Sequence, residues 1–115
     1  MNPPVVVVLC TAPAAGADGK LGAVDLARQL VEEGLCACVN VLPGVRSFFR
    51  WQDEVDQAEE LLLIGKTTAS ASRRLRDRIV ELHPYQIPEV LELPVADGLP
   101  AYLQWLVGSV HPGRI

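Results

Sequence analysis

The chain is short of aromatic residues, histidine, cysteine and clustered basic charge, and it contains no long apolar run. Each shortage excludes something. Two Trp, two Tyr and two Phe leave an interior that Val, Leu and Ala must fill. The formal net charge is −4, and the densest basic stretch, Arg73-Arg74 with Arg76 and Arg78, is broken by Asp77. A nucleic-acid partner needs a basic footprint, so none is expected. No apolar run approaches the roughly 20 residues of a membrane span, and no membrane partner is expected. Three cysteines make no disulfide framework and point to a reducing compartment. The start, Met1-Asn2-Pro3-Pro4, has neither the basic region nor the cleavage site of a signal peptide. The expectation is a soluble, cytoplasmic protein. Glycine-rich phosphate loops, nucleophile elbows and zinc-protease spacings are also missing, so the chain is not expected to be an enzyme.

What is present is a small chain, 115 residues, that is half hydrophobic. That length fits a single domain over residues 1–115. A small domain has little interior. So many aliphatic residues fit either a tightly packed monomer or a chain that buries some of them between subunits.

Hydrophobic periodicity divides the chain into strands and helices. Val5 to Leu9 reads as a strand buried on both faces. Thr11 to Gly22, rich in Ala, Gly and Pro, reads as a loop. Leu21, Val24, Ala27 and Val31, with Leu30, recur at helical spacing, and Gly34 suits the position just past a helix end. From Leu35 to Trp51 the period is two, interrupted by Pro43-Gly44, which marks a bulge or bend. Gln52-Asp53-Glu54 turns the chain into a return strand, Val55 to Thr67. Thr68 to Leu82 is a second helix with the stripe Leu75, Ile79 and Leu82. Ser70 or Ser72 is available to cap it, and Arg73 and Asp77 are spaced as a solvated pair. Pro84 stops it. Ile87 to Val95 is a proline-bearing strand suited to a sheet edge. A last helix runs from about Pro100 to Val107, with Leu99, Tyr102, Leu103 and Leu106 toward the body. The order βαββαβ plus a terminal helix predicts an α+β ferredoxin-like plait with a long hairpin. One sheet face stays bare unless subunits pack sheet against sheet.

Two constellations could carry chemistry. Cys10 ends the first strand and His83 ends the second helix; thiolate and imidazole are good ligands for copper and zinc. The alternative is a packed cysteine and a histidine bonded to the helix end. Cys36 and Cys38, two apart on a predicted strand, would share a face, as a core pair or as a soft-metal pair. The second constellation is Trp51, Lys66, Tyr85 and Glu89. A lysine, a glutamate and two amphipathic aromatics suit a pocket for a small polar or anionic ligand, or an interface sealed by a Lys66–Glu89 ion pair. Trp51 and Lys66 lie far apart along one hairpin, so a shared cleft would need the hairpin tip of one subunit to reach its neighbour.

The series Val7-Val8-Leu9-Cys10-Thr11-Ala12-Pro13, Ala37-Cys38-Val39-Asn40, Leu42-Pro43-Gly44, Trp51, Lys66-Thr67-Thr68, His83-Pro84-Tyr85, Pro88-Glu89 and Tyr102-Leu103-Gln104-Trp105-Leu106 resembles the divalent-cation-tolerance (CutA) family. The resemblance runs from Val5 to about Val107. It implies a compact homotrimer similar in outline to the PII signalling trimers, with a role in tolerance of copper and other divalent metal ions. That role is exercised by weak metal binding or by sensing; the alternative is a PII-like module that responds to a small molecule. Copper is associated in such proteins with the positions of Cys10 and His83. Some members carry two consecutive histidines where this chain has Leu82-His83, which removes one ligand and lowers the expected affinity. Family members often have Gly at the position of Asp53 and Ala at that of Cys36. Ala14-Ala15-Gly16-Ala17-Asp18-Gly19 resembles an insertion.

Overall fold

Val5–Ala12 forms strand β1, where β-branched side chains alternate between a deeply buried and a half-buried face. A computed structural model describes residues 3–112. Around β1 stand helix α1 (Ala23–Glu32), strands β2 (Cys38–Trp51) and β3 (Glu54–Thr68), helix α2 (Ser72–Leu82), strand β4 (Leu91–Pro94) and helix α3 (Pro100–Gly108). The sheet order is β2-β3-β1-β4 and every pairing is antiparallel. This is the ferredoxin-like plait expected from the residue pattern, with α3 added.

The main core lies between β1 and the two long helices. Val6, Val8, Cys10 and Ala12 meet Leu26 and Leu30 of α1 and Leu75 and Ile79 of α2. A second cluster, Val5, Ala37, Ala71, Leu106 and Val110, closes the end of the sheet where β1 begins. The α1 stripe is rotated from the expected one. Ala23, Leu26, Ala27 and Leu30 are buried, while Val24 and Val31 are 60% and 40% exposed. Both sets have helical spacing. Ala27 and Leu30 belong to both; Ala23 and Leu26 take the places expected of Val24 and Val31, and the face with Leu26 and Leu30 puts the two larger side chains of the helix into the core.

The hairpin is as long as predicted. Gln52 and Asp53 both have positive φ, 50° and 66°, and form a two-residue turn. Such primed turns match the twist of the flanking strands, and Asp tolerates the left-handed region. Leu42 pairs with Leu62 and Val45 with Glu60, so β2 carries one extra residue at Pro43-Gly44, and Gly44 has φ +79°. That is the predicted bulge. β1 reaches only to Leu61 on β3, so Val45–Trp51 and Glu54–Glu60 project beyond the sheet as a two-stranded arm. The molecule is 47 Å along its longest axis.

Other details depart from the sequence reading. β4 covers Leu91–Pro94 rather than Ile87–Val95, although it is at the sheet edge as expected. Pro88 has no N–H to give β1, and the segment before it is held by side-chain bonds instead. α2 has Ala71 as its N-cap residue and no side-chain cap. Ser70 Oγ pairs with Thr68 Oγ1, and Ser72 Oγ donates to the Ala69 carbonyl. Arg73 and Asp77 form no ion pair among the described residues; Arg78 instead makes a bidentate bond to Glu33 at 2.9 and 2.8 Å, tying α2 to α1. On α3, Leu103 and Leu106 pack inward while Leu99 and Tyr102 are exposed. The loop from Pro13 to Gly22 caps α2: Leu21 N–H donates to the Leu82 carbonyl and Lys20 Nζ to the Glu81 carbonyl.

The rotated stripe is testable. Leu26→Ala should cost about 2–5 kcal/mol in chemical denaturation, because it empties a fully buried site. Val24→Ala should change stability by less than about 0.5 kcal/mol. Equal effects would restore the stripe read from periodicity.

Candidate functional site

The far end of β1 and the last turn of α2 meet at His83. This residue is the C-cap of α2; its backbone leaves the helix at ψ 139°, forced extended by Pro84. The ring is buried. Nε2 lies 2.8 Å from the Thr11 carbonyl, and the Tyr85 amide donates to Nδ1 at 3.0 Å. An amide can only donate, so Nδ1 is unprotonated and Nε2 carries the proton it gives to Thr11. Burial holds the His83 pKa below its ordinary value, with the Thr11 bond and the Glu60 charge opposing. Tyr85 stacks obliquely on this ring, centroids 4.8 Å apart, and its hydroxyl donates to Glu60 Oε2 at 2.8 Å. Burial, then the bond to Glu60, pushes the Tyr85 phenol up to about 12.

Cys10 sits beside Thr11 on β1, but its thiol belongs to the core. Burial pushes it up to about 12, and the charges of Glu89 and Glu60 add to the effect. Its Sγ is 3.7 Å from the Thr11 carbonyl. Cys36 and Cys38 do not share a strand face as the sequence reading had it. β2 begins at Cys38; Cys36 lies in the preceding connection, buried in the main core, whereas Cys38 stands opposite Lys66 and is only partly covered.

The second constellation is divided within one chain. Lys66 pairs with Val7 and Cys38, and its Nζ donates to Asn40 Oδ1. Trp51 is at the hairpin tip, opposite Glu54. Thirteen strand positions separate it from Cys38, roughly 40 Å at strand rise. Tyr85 bonds Glu60, which is six positions from Lys66 on β3, roughly 20 Å. Glu89 is exposed, and no Lys66–Glu89 ion pair occurs among the described residues. Sequence reasoning missed Glu60, Thr11 and Asn40. Glu60 is one charge in a run of acidic residues, and nothing local marks it as the buried one. Thr11 acts through its carbonyl, which no side-chain motif reveals.

Comparison with known proteins agrees with this architecture. Residues 6–109 match the family described as CutA1 divalent ion tolerance protein. The chain belongs to the CutA1 family. A divalent-cation tolerance protein CutA of Thermus thermophilus is 52% identical over 81 residues, covering 70% of this chain and 79% of the relative. One from Salmonella newport is 44% identical over 109 residues, covering 95% and 90%. Among solved structures, CutA1 from Oryza sativa superposes with a TM-score of 0.88 at 35% identity, covering 97% of this chain and 98% of that one. A PII-like protein CutA from Nostoc, in apo form, gives 0.84 at 34%, covering 94% and 99%. A periplasmic divalent cation tolerance protein CutA from Archaeoglobus fulgidus gives 0.82 at 31%, covering 93% and 99%.

The CutA1 family name implies a divalent ion, and the donor chemistry at Cys10 and His83 decides whether copper fits there. Both His83 nitrogens are already bonded, one as donor and one as acceptor. The Cys10 thiol is held protonated and directed into the core. The described residues contain no group of three or more His, Cys, Asp or Glu suited to hold a metal ion. As arranged, Cys10 and His83 do not fit a resident copper ion.

Two measurements follow from the hydrogen-bonded state. A buried neutral histidine with a lowered pKa resists protonation in the fold while the unfolded chain takes up the proton. Its contribution is present above the ordinary value of 6.5 and is lost as pH falls through the folded value. Denaturation midpoints should therefore drop below pH 6.5, and His83→Gln should flatten that slope. In a Tyr102→Phe background, Glu60→Gln should lower the Tyr85 pKa from about 12 while leaving it above its ordinary value, because burial remains. Ultraviolet titration reads it; an unchanged pKa would show that the Glu60 bond does not form in solution.

Proposed function

We propose that this protein acts in divalent metal ion tolerance as a homotrimer that senses an ion or ligand rather than storing it or catalysing a reaction. The observation that carries the sensing mode is the engagement of both His83 nitrogens. Copper reaches His83 only by replacing the Thr11 or Tyr85 bond, and reaches Cys10 only by displacing a proton from a thiol raised to about 12. Uptake there is therefore weak, favoured by high pH, and coupled to movement of the Tyr85 segment. Large exposed apolar side chains support association: Phe48, Trp51 and Val55 on the arm, Leu91 and Leu93 at the edge strand. An isolated two-stranded ribbon is marginal in water, and a partner subunit would support the arm. The trimer would also allow Trp51 of one subunit to approach Lys66 and Glu89 of another.

The second reading is a PII-like module that responds to a small polar ligand, favoured by the resemblance to the Nostoc protein described as PII-like. Its candidate pocket residues are Trp51, Lys66, Tyr85 and Glu89. A cytoplasmic location suits the free cysteines. Among the described residues no helix is long and apolar enough to cross a membrane.

Sedimentation should give three chain masses at micromolar concentration; a monomer would remove the shared cleft. Titration with copper(II) should give weak binding that strengthens with pH and is lost in the Cys10→Ala, His83→Ala double variant. Equal uptake by that variant would reject the site. A thermal shift with nucleotides or metabolites, lost in Lys66→Ala, would establish the PII-like reading instead.

A further inference from the structure

Past the end of β1, one side-chain hydrogen bond joins the arm to the rest of the chain. β1 ends at Ala12, opposite Leu61, so Glu60 is the first residue of β3 with no strand neighbour on that side. On its other side Glu60 pairs with Val45, the first paired residue of β2 after the Pro43-Gly44 bulge. Glu60 therefore stands at the root of the arm. Among the described residues, arm side chains bond as Arg46 to Glu59, Asp56 to the Gln57 amide, and Glu60 to Tyr85; the last alone leaves the arm. We propose that Tyr85 and Glu60 form a latch that fixes the direction of the arm, and that loss of the His83 contacts releases it.

The root is otherwise a weak joint. A bulge interrupts the ladder, leaves a residue unpaired and lets the strand bend. Gly44 has φ +79°, and apart from its chain neighbours nothing lies within 4 Å of where its Cβ would stand, so no packing buttresses the bend. The latch, by contrast, is held from behind. The Tyr85 amide donates to His83 Nδ1 at 3.0 Å, the two rings are 4.8 Å apart, and His83 Nε2 donates to the Thr11 carbonyl at 2.8 Å. Contacts thus run from β1 through His83 and Tyr85 to Glu60. The arm tip lies six strand positions further on, roughly 20 Å.

Opening the latch strands no polar group. Glu60 is only 6% exposed, yet a neutral phenol is its side-chain partner and it makes no ion pair among the described residues. A buried carboxylate without a cation is poorly compensated, and release returns it to water. The Tyr85 hydroxyl, on a ring already partly exposed, regains water as well. Latched and released arrangements are therefore close enough in free energy for contacts at His83 to choose between them. This goes beyond the proposed function and does not depend on it: any agent that displaces His83 or Tyr85, ion or small molecule, moves the surface formed by Phe48, Trp51 and Val55.

The test needs no ligand. The chain has two tryptophans, Trp51 at the arm tip and Trp105 on α3, so fluorine NMR of full-length protein grown with fluorotryptophan reads the arm against an internal reference. Hydrogen exchange followed by mass spectrometry compares residues 45–60 with β1. Tyr85→Phe keeps the ring and removes the hydroxyl. It should speed exchange of the arm about tenfold, the scale of a lost bond to a charged group, and shift the Trp51 signal while β1 and Trp105 stay unchanged. His83→Ala should loosen the arm too, although His83 bonds no arm residue. Glu60→Gln, which keeps an acceptor oxygen, should have a smaller effect than Glu60→Ala, and adding Tyr85→Phe to Glu60→Ala should change nothing further. An unchanged arm in Tyr85→Phe and Glu60→Ala would overturn the latch. Equal acceleration of β1 and the arm in Tyr85→Phe would show general loosening and overturn it as well. An arm loosened by Tyr85→Phe but not by His83→Ala would overturn the control by His83.

Discussion

β1 is hydrogen-bonded along both edges, to β3 over Val5–Ala12 and to β4 over Val6–Leu9, and one of its faces is covered by two helices. A central strand held in this way cannot shift by one residue without turning Val6, Val8 and Cys10 out of the core. Everything of chemical interest is referred to that register. The Thr11 carbonyl stands where the His83 ring reaches it because the end of α2 is pinned over the end of β1. Cys10 faces the core because it alternates with Thr11. Lys66 sits against Val7 and Cys38, far from the arm.

The same strand explains why the molecule has two kinds of surface. The helix-covered face is aliphatic and closed. Beyond Ala12 nothing continues β1, so the hairpin runs on as an unsupported arm carrying Phe48, Trp51 and Val55 into solvent. Each residue of the arm's two strands has a cross-strand partner, but its side chains lack a core. An exposed ribbon with large apolar side chains is an association surface in waiting. That geometry accounts for the division of the Trp51, Lys66, Tyr85 and Glu89 group within one chain.

Polar groups are concentrated where helices end. The last carbonyls of α2 are satisfied by Leu21 and Lys20 from the loop after β1, and its C-cap histidine bonds back to β1 through Thr11. Lys20 and Leu21, which follow the Ala14–Gly19 stretch resembling an insertion, therefore have a structural task. His83 is locked by a backbone donor on one side and a backbone acceptor on the other, an arrangement that favours a fixed neutral ring over a ready ligand. Membership of the CutA1 family and this locked histidine are reconciled if ion response requires local rearrangement.

Local signals that depend on backbone chemistry were legible in the residues alone. Pro43-Gly44 announced the bulge, Gln52-Asp53 the turn, Gly34 the left-handed helix end, and Pro84 the end of α2. Each reflects a restriction on φ or a missing donor, and such restrictions act wherever the residue stands. Element order then predicted the plait. Tertiary structure decided what depends on neighbours distant in sequence. Val24 and Val31 lost the core to Ala23 and Leu26 because the helix turned the face bearing Leu26 and Leu30 onto the sheet. Glu60, rather than another acidic residue of β3, was buried because Tyr85 reached it across 25 positions. Cys36 was separated from Cys38 and placed in the main core because β2 starts at Cys38, three residues later than the alternation from Leu35 implied. Periodicity reports which side chains share a face, whereas the partner that face meets is settled only when strands and helices are brought together.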